Sequence, residues 1–154
     1  MREKLPRITS LKVLASHRLS LYFEDGWTVI VALGEIIDAF PVLAPLRDRT
    51  LFSKAKLEEW GSGVTWDDEG PLSIAATTLY RLAAEQAEEP ARRFDAWMIS
   101  NGLSAARAAE ALGMTRRSII SYRTGARPVP TYINLACIGW EVARDGARQQ
   151  PRAH

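Results

Sequence analysis

Four arginines, Arg116, Arg117, Arg123 and Arg127, stand among the twenty residues from Ala111 to Pro130, and no acidic residue stands with them. A guanidinium carries five N–H donors in a planar fork that matches phosphate oxygens and the acceptor edge of guanine. Thr115, Ser118 and Ser121 add hydroxyls that donate or accept within the same segment. Together these residue types can bind a polyanion by charge and hydrogen bonding; they offer no means of transforming a substrate.

The other reactive side chains are scattered. His17 falls in a predicted hairpin turn and His154 is the last residue, so neither has a metal-ligand partner at a useful spacing. Asp67, Asp68 and Glu69 could hold a hard cation, but three adjacent carboxylates at a turn read as a solvated run. Gly61-Ser62-Gly63 is too short to cradle a phosphate. Cys137 sits in the apolar run Leu135 to Trp140 with no base nearby, which marks packing rather than nucleophilic catalysis. The expectation is a protein that is not an enzyme and needs no cofactor or metal.

The arginines must be positioned by helices. From Ala91 onward the apolar spacing is helical, beginning with Phe94, Trp97 and Met98 and stopping at Asn101-Gly102. Ser104 is placed to cap a second helix through Ala111, and Thr115 a third that runs to Thr124 and stops at Gly125. Ala109, Gly113 and Ile119 have the spacing of two crossed helices. The crossing needs a small residue, the short turn needs positive φ, and the third helix must return a branched apolar side chain to the core. A fourth helix after Arg127-Pro128-Val129-Pro130 is expected to carry Tyr132, Leu135, Ala136, Gly139, Trp140 and Ala143 on one face, with the tail 147–154 frayed.

Residues 93–143 resemble the Cro/C1-type helix-turn-helix regulators of phage and bacteria. The stretch LSAARAAEALGMTRRSIISYRTGARPVP carries that family's pattern from its opening Leu-Ser to its closing Arg-Pro-Val-Pro. Ala105 departs from it, standing where the family often has a glutamine that contacts phosphate. The resemblance implies a compact helical domain with the third helix, 115–124, in the major groove of double-stranded DNA. Arg116, Arg117 and Ser121 would then read bases, while Thr115, Ser118, Arg123 and Arg127 would hold phosphates. It also implies a homodimer reading a two-fold symmetric operator.

The amino-terminal part reads as short strands. RITSLKVLAS and RLSLYFEDGWTVIVAL alternate apolar and polar residues, and Asp25-Gly26 between alternating runs predicts a hairpin. A second strand pair is expected at LFSKAKLE and GVTWD, joined through Glu59 to Gly63. SIAATTLYRLAAEQAEE reads as a helix capped by Ser73. Residues 6–83 resemble the bacterial family called domain of unknown function 2442, on the L-x-L-x-F-x-D-G hairpin, the L-x-D-x-x-x-F segment, the G-x-x-x-x-W-D-D strand end and a closing helix with Leu-Tyr. That resemblance implies a short α+β domain with no established activity, some members of which lie beside toxin–antitoxin genes.

The whole chain fits this division. Its 154 residues are 47% hydrophobic and 25% charged, as in a folded globular protein. Residues 1–90 carry ten basic against fourteen acidic side chains, a net of −4, and residues 91–154 carry ten arginines against four acids, a net of +6. No apolar run approaches a membrane span and no signal-peptide core stands in the first thirty residues, so a cytoplasmic protein is expected. The predicted fold class is α+β: antiparallel β-hairpins with a helix over 1–88, then an all-α helix-turn-helix domain of four or five helices over 91–146. The predicted function is sequence-specific DNA binding in transcriptional regulation. The alternative is an antitoxin-like protein whose amino-terminal domain binds a partner protein, with DNA binding for autoregulation.

Overall fold

Alternation of apolar and polar side chains builds the first part of the chain. In the computed structural model, which describes residues 5–67 and 70–149, β1 (Ile8–Leu14), β2 (Arg18–Phe23) and β3 (Thr28–Ala32) form an antiparallel sheet in sequence order. Leu19 pairs with Val31 and Leu21 with Val29, and all four side chains are buried on one face. Gly26 takes φ 95° in the β2–β3 turn, where the Asp25 carboxylate accepts from the Trp27 N–H at 3.0 Å. His17, in the β1–β2 turn, donates from Nε2 to the Arg47 carbonyl at 3.0 Å and lies edge-on to Phe52, so its work is structural.

Between the sheets lie α1 (Gly34–Ala39), a 3-10 segment (Pro41–Arg47) and α2 (Arg49–Phe52). A second antiparallel sheet follows, with β4 (Lys56–Leu57), β5 (Gly63–Thr65) and β6 (Ser73–Ala75) in that order, and then α3 (Ala76–Gln86). Two expectations are corrected here. Leu51 and Phe52 are helical rather than part of a strand, because the Asp48 carboxylate accepts the Thr50 N–H at 2.9 Å and starts a helical turn. Ser73 is not a helix cap but the first residue of β6, which supplies the free edge of β5 with a partner; the helix begins three residues later, without a side-chain cap. In the first sheet, the Gln86 side chain closes the free edge of β3, accepting from Ala32 N–H and donating to Ala32 C=O, both at 2.8 Å.

The chain divides into two units, Met1–Glu88 and Glu89–His154. The second consists of α4 (Pro90–Ser100), α5 (Ala105–Leu112), α6 (Arg116–Thr124) and α7 (Thr131–Gln149). Pro90 occupies the first turn of α4, where no N–H is needed. Phe94, Trp97, Met98, Ala108, Ala109, Ile119 and Tyr122 pack with Ile133 and Cys137 of α7. The expected face of α7 is formed, but apart from Trp140 it does not pack inward. Ile133, Cys137 and the half-buried Trp140 face the core, whereas Tyr132, Leu135, Ala136, Gly139 and Ala143 are exposed. Nor does the helix end at Gly146: it runs on to Gln149, because Gly146 lacks the positive φ of a stop. Residues 150–154 lie outside the described residues. Among the described residues, no helix is long and apolar enough to cross a membrane.

Candidate nucleic-acid interface

The local chemistry of α5 and α6 fixes where the arginines stand. Ser104 Oγ accepts from Arg107 N–H at 3.2 Å and starts α5. Gly113 leaves it at φ 66°, with Met114 N–H bonded back to the Ala109 carbonyl at 2.8 Å. A side chain with a branched β-carbon could not take that φ without strain. Thr115 Oγ1 then accepts from Ser118 N–H at 3.1 Å, an N-cap worth about 1 kcal/mol. The same hydroxyl donates to Ser118 Oγ at 2.9 Å, so the two hydroxyls form one linked pair at the tip of α6. Gly125, at φ 80°, ends the helix. Between these stops Ile119 and Tyr122 are buried against Ala108, Ala109 and Phe94.

With that side of α6 fixed inward, Arg116, Arg117, Ile120 and Thr124 are left exposed and Ser121 half-buried beside them. Among the described residues no carboxylate pairs with Arg116 or Arg117, and the first turn of α6 holds no acid. The N–H groups at that tip carry partial positive charge, which adds to the two guanidinium groups. The outward face thus presents two cations, a hydroxyl and an apolar patch.

The remaining predicted residues are placed differently. Arg123 pairs through Nε with Asp95 of α4 at 2.5 Å, and both side chains are only about one fifth exposed, at 21% and 20%. That pair neutralises the arginine and ties α6 to α4. Arg127 lies beyond the helix with its guanidinium 5.3 Å from the centre of the Tyr122 ring, and its N–H bonds to the Ser121 carbonyl at 3.1 Å. Ile120 is a residue that sequence reasoning missed. It is 43% exposed in the middle of the arginine face, and an isoleucine adjoining Ile119 reads by default as core. Its position four residues after Arg116 and three after Arg117 was the available signal. Thr124, one turn further, donates to the Ile120 carbonyl at 2.9 Å.

In the first unit, Trp60 stands out. It has φ 64°, an unusual conformation for a bulky residue, and is 75% exposed. Gly61 follows at φ 68°, and a Cβ there would collide with the backbone of Ile8, so the turn is held tightly against β1. Trp60 borders an open concavity with Leu5, Arg7, Ser62 and Thr77. Of the three adjacent carboxylates, Asp67 accepts from Leu72 N–H at 3.4 Å, while Asp68 and Glu69 lie outside the described residues. Among the described residues no group of three metal-ligating side chains comes together.

Comparison with known proteins adds two similarities. The profile of the family described as "Protein of unknown function (DUF2442)" matches residues 8–85. The chain is also similar to the crystal structure named "Putative DNA Binding Protein NE0471" from Nitrosomonas europaea ATCC 19718. The identity is 37%, 99% of this chain and 98% of that one are covered, and the TM-score is 0.62. No curated protein matches the chain.

Proposed function

The chain belongs to the DUF2442 family, and since that domain accounts only for the first unit, we propose that its function lies in the second: sequence-specific DNA binding by a helix-turn-helix of the Cro/C1 type, in transcriptional regulation. The observation that carries this reading is the outward face of α6, where Arg116 and Arg117 stand unpaired in the first turn of a helix whose other side is locked into the core. The name of the Nitrosomonas europaea protein, similar along nearly its whole length, points the same way. In this reading α6 enters the major groove. Arg116, Arg117 and Ser121 meet base edges, and each good bidentate arginine–guanine contact is worth about 1–3 kcal/mol of discrimination. Ile120 adds an apolar contact of the kind made to a thymine methyl. Thr115 and Ser118 receive a phosphate at the helix tip, and Arg127 a second one beyond its end. Arg123, engaged with Asp95, contributes least to phosphate binding. No catalytic step, cofactor or metal is assigned.

The test is binding of the parent protein, Arg116→Ala and Arg117→Ala to pooled genomic fragments. The expected result is a loss of sequence preference in both variants. If both selected the same fragments with parental affinity, α6 would not be the reading element.

A second reading is favoured by Trp60: the first unit docks a partner protein, as an antitoxin does, and DNA binding serves autoregulation. An exposed indole held at a costly backbone angle would anchor such a contact. Affinity capture with the full chain and with Trp60→Asn tests it. The reading requires a protein retained by the parent and lost with the variant; identical captured sets would exclude Trp60 as the anchor.

A further inference from the structure

The concavity beside Trp60 has the size and lining of a small-molecule site. Its volume is about 530 Å³, within the roughly 300–1,000 Å³ of ligand pockets, which are mostly apolar with a few placed polar groups. Trp60 and Leu5, 75% and 56% exposed, supply apolar surface, and Arg7, Ser62 and Thr77 supply the polar groups. The turn that presents the indole is fixed. A tryptophan at positive φ persists only where its surroundings over-determine it. Here Gly61 is wedged against the Ile8 backbone, and the Ser62 carbonyl accepts from Ala76 N–H at 2.8 Å. Arg7 directly precedes Ile8, and its own carbonyl accepts from Glu24 N–H at 2.8 Å. Indole and guanidinium therefore project from two backbone segments pinned to each other, so little backbone ordering is left for a ligand to impose.

We propose that this concavity binds a small aromatic carboxylic acid, with its ring stacked on Trp60 and its carboxylate on Arg7. The exposed indole offers a planar face, which a second flat ring covers better than an aliphatic chain does. Among the described residues no carboxylate pairs with the Arg7 guanidinium, and no acidic side chain lines the concavity. That planar fork matches a carboxylate through two parallel N–H···O bonds. The Thr77 hydroxyl, which bonds to no described residue, can donate to the same carboxylate. Ser62 Oγ has its proton engaged with the Glu59 carbonyl at 2.9 Å, so it accepts only and suits a ring substituent that donates. Charge selects a monoanion. Arg7 is the cation that lines the concavity, and residues 1–90 carry a net charge of −4, which opposes a phosphate dianion.

The test titrates naphthoate into the full chain and follows the indole N–H signal of Trp60 by nuclear magnetic resonance. That signal is identified by its absence from Trp60→Asn, since asparagine tolerates the positive φ and keeps the turn. A saturable shift of the Trp60 signal is expected. Neutral naphthamide should bind at least about tenfold more weakly than naphthoate, and Arg7→Gln should lose about the same factor for naphthoate while binding the amide like the parent. Both side chains are exposed, so neither substitution should lower the melting temperature. Adenosine monophosphate should also bind at least about tenfold more weakly than naphthoate; equal binding would overturn the choice of a carboxylate. Absence of a saturable shift overturns the inference, as does equal affinity for acid and amide, or of parent and Arg7→Gln for the acid. The site lies in the first unit and rests on neither functional reading. Arg116→Ala should bind naphthoate like the parent yet lose sequence preference, so failure of the DNA reading and failure of this site give different results. A partner protein retained through Trp60, with no acid bound, would uphold the second reading and overturn the aromatic-acid site.

Discussion

Ile119 and Ile120 are adjacent, chemically identical, and assigned opposite tasks by the geometry of one helix. Ile119 is buried against Ala109 and Phe94, whereas Ile120 faces outward between the arginines. Ile119→Ala leaves a cavity in a small core and is expected to lower stability by about 2–5 kcal/mol, measured by denaturant unfolding. Ile120→Ala is expected to stay within about 0.5 kcal/mol of the parent. It should instead relax selection at one base pair when bound sequences are recovered from a random pool. Equal stability losses in the two variants would mean that the helix is rotated from the position described, and the assignment of Arg116 and Arg117 to base edges would fail with it.

At the scale of the element, what was legible in the sequence depended on whether local chemistry alone decided the outcome. Ser104, Thr115, Gly113 and Gly125 each act within a turn of their own position, and the helix ends fall where those residues predict. The Asp25-Gly26 hairpin was equally local. The strand β6 was not, because Ser73–Ala75 is extended through pairing with β5, and serine before an apolar helical run imitates a cap. The face of α7 was hidden for a different reason. The helix has two apolar sides, and only tertiary packing selects the narrower one, led by Ile133 and Cys137, as the inner one. Gln86 shows the same dependence on distant partners, since its amide replaces a neighbouring strand at Ala32, 54 positions away. Gln86→Leu removes both bonds and is expected to cost about 1–2 kcal/mol. Hydrogen exchange at the Ala32 amide should quicken in step; unchanged protection there would show that the side chain does not hold the edge.

Over the whole molecule, charge is divided along the chain, −4 over residues 1–90 and +6 over residues 91–154. Under the proposed function, the second unit meets the phosphate backbone and releases counterions from it. Affinity should therefore fall linearly with the logarithm of salt concentration, with a slope of about −0.9 per phosphate neutralised. Replacing Arg127 with alanine should reduce that slope by about one while leaving the preferred sequence unchanged. An unaltered slope would remove Arg127 from the phosphate contacts.

The five indoles are also divided among environments. Trp66 and Trp97 are buried, Trp27 and Trp140 half-buried, and Trp60 lies open to solvent. The molecule therefore carries its own optical reporters. In the folded chain, a soluble quencher should extinguish the red-shifted emission of Trp60 first and leave the blue emission of Trp97, packed edge-to-face with Trp140, nearly untouched. As denaturant is raised, the point at which the blue component becomes quenchable marks the opening of the helical unit. The change in Trp66 marks that of the sheet unit, so light alone can tell whether the two come apart together or in turn.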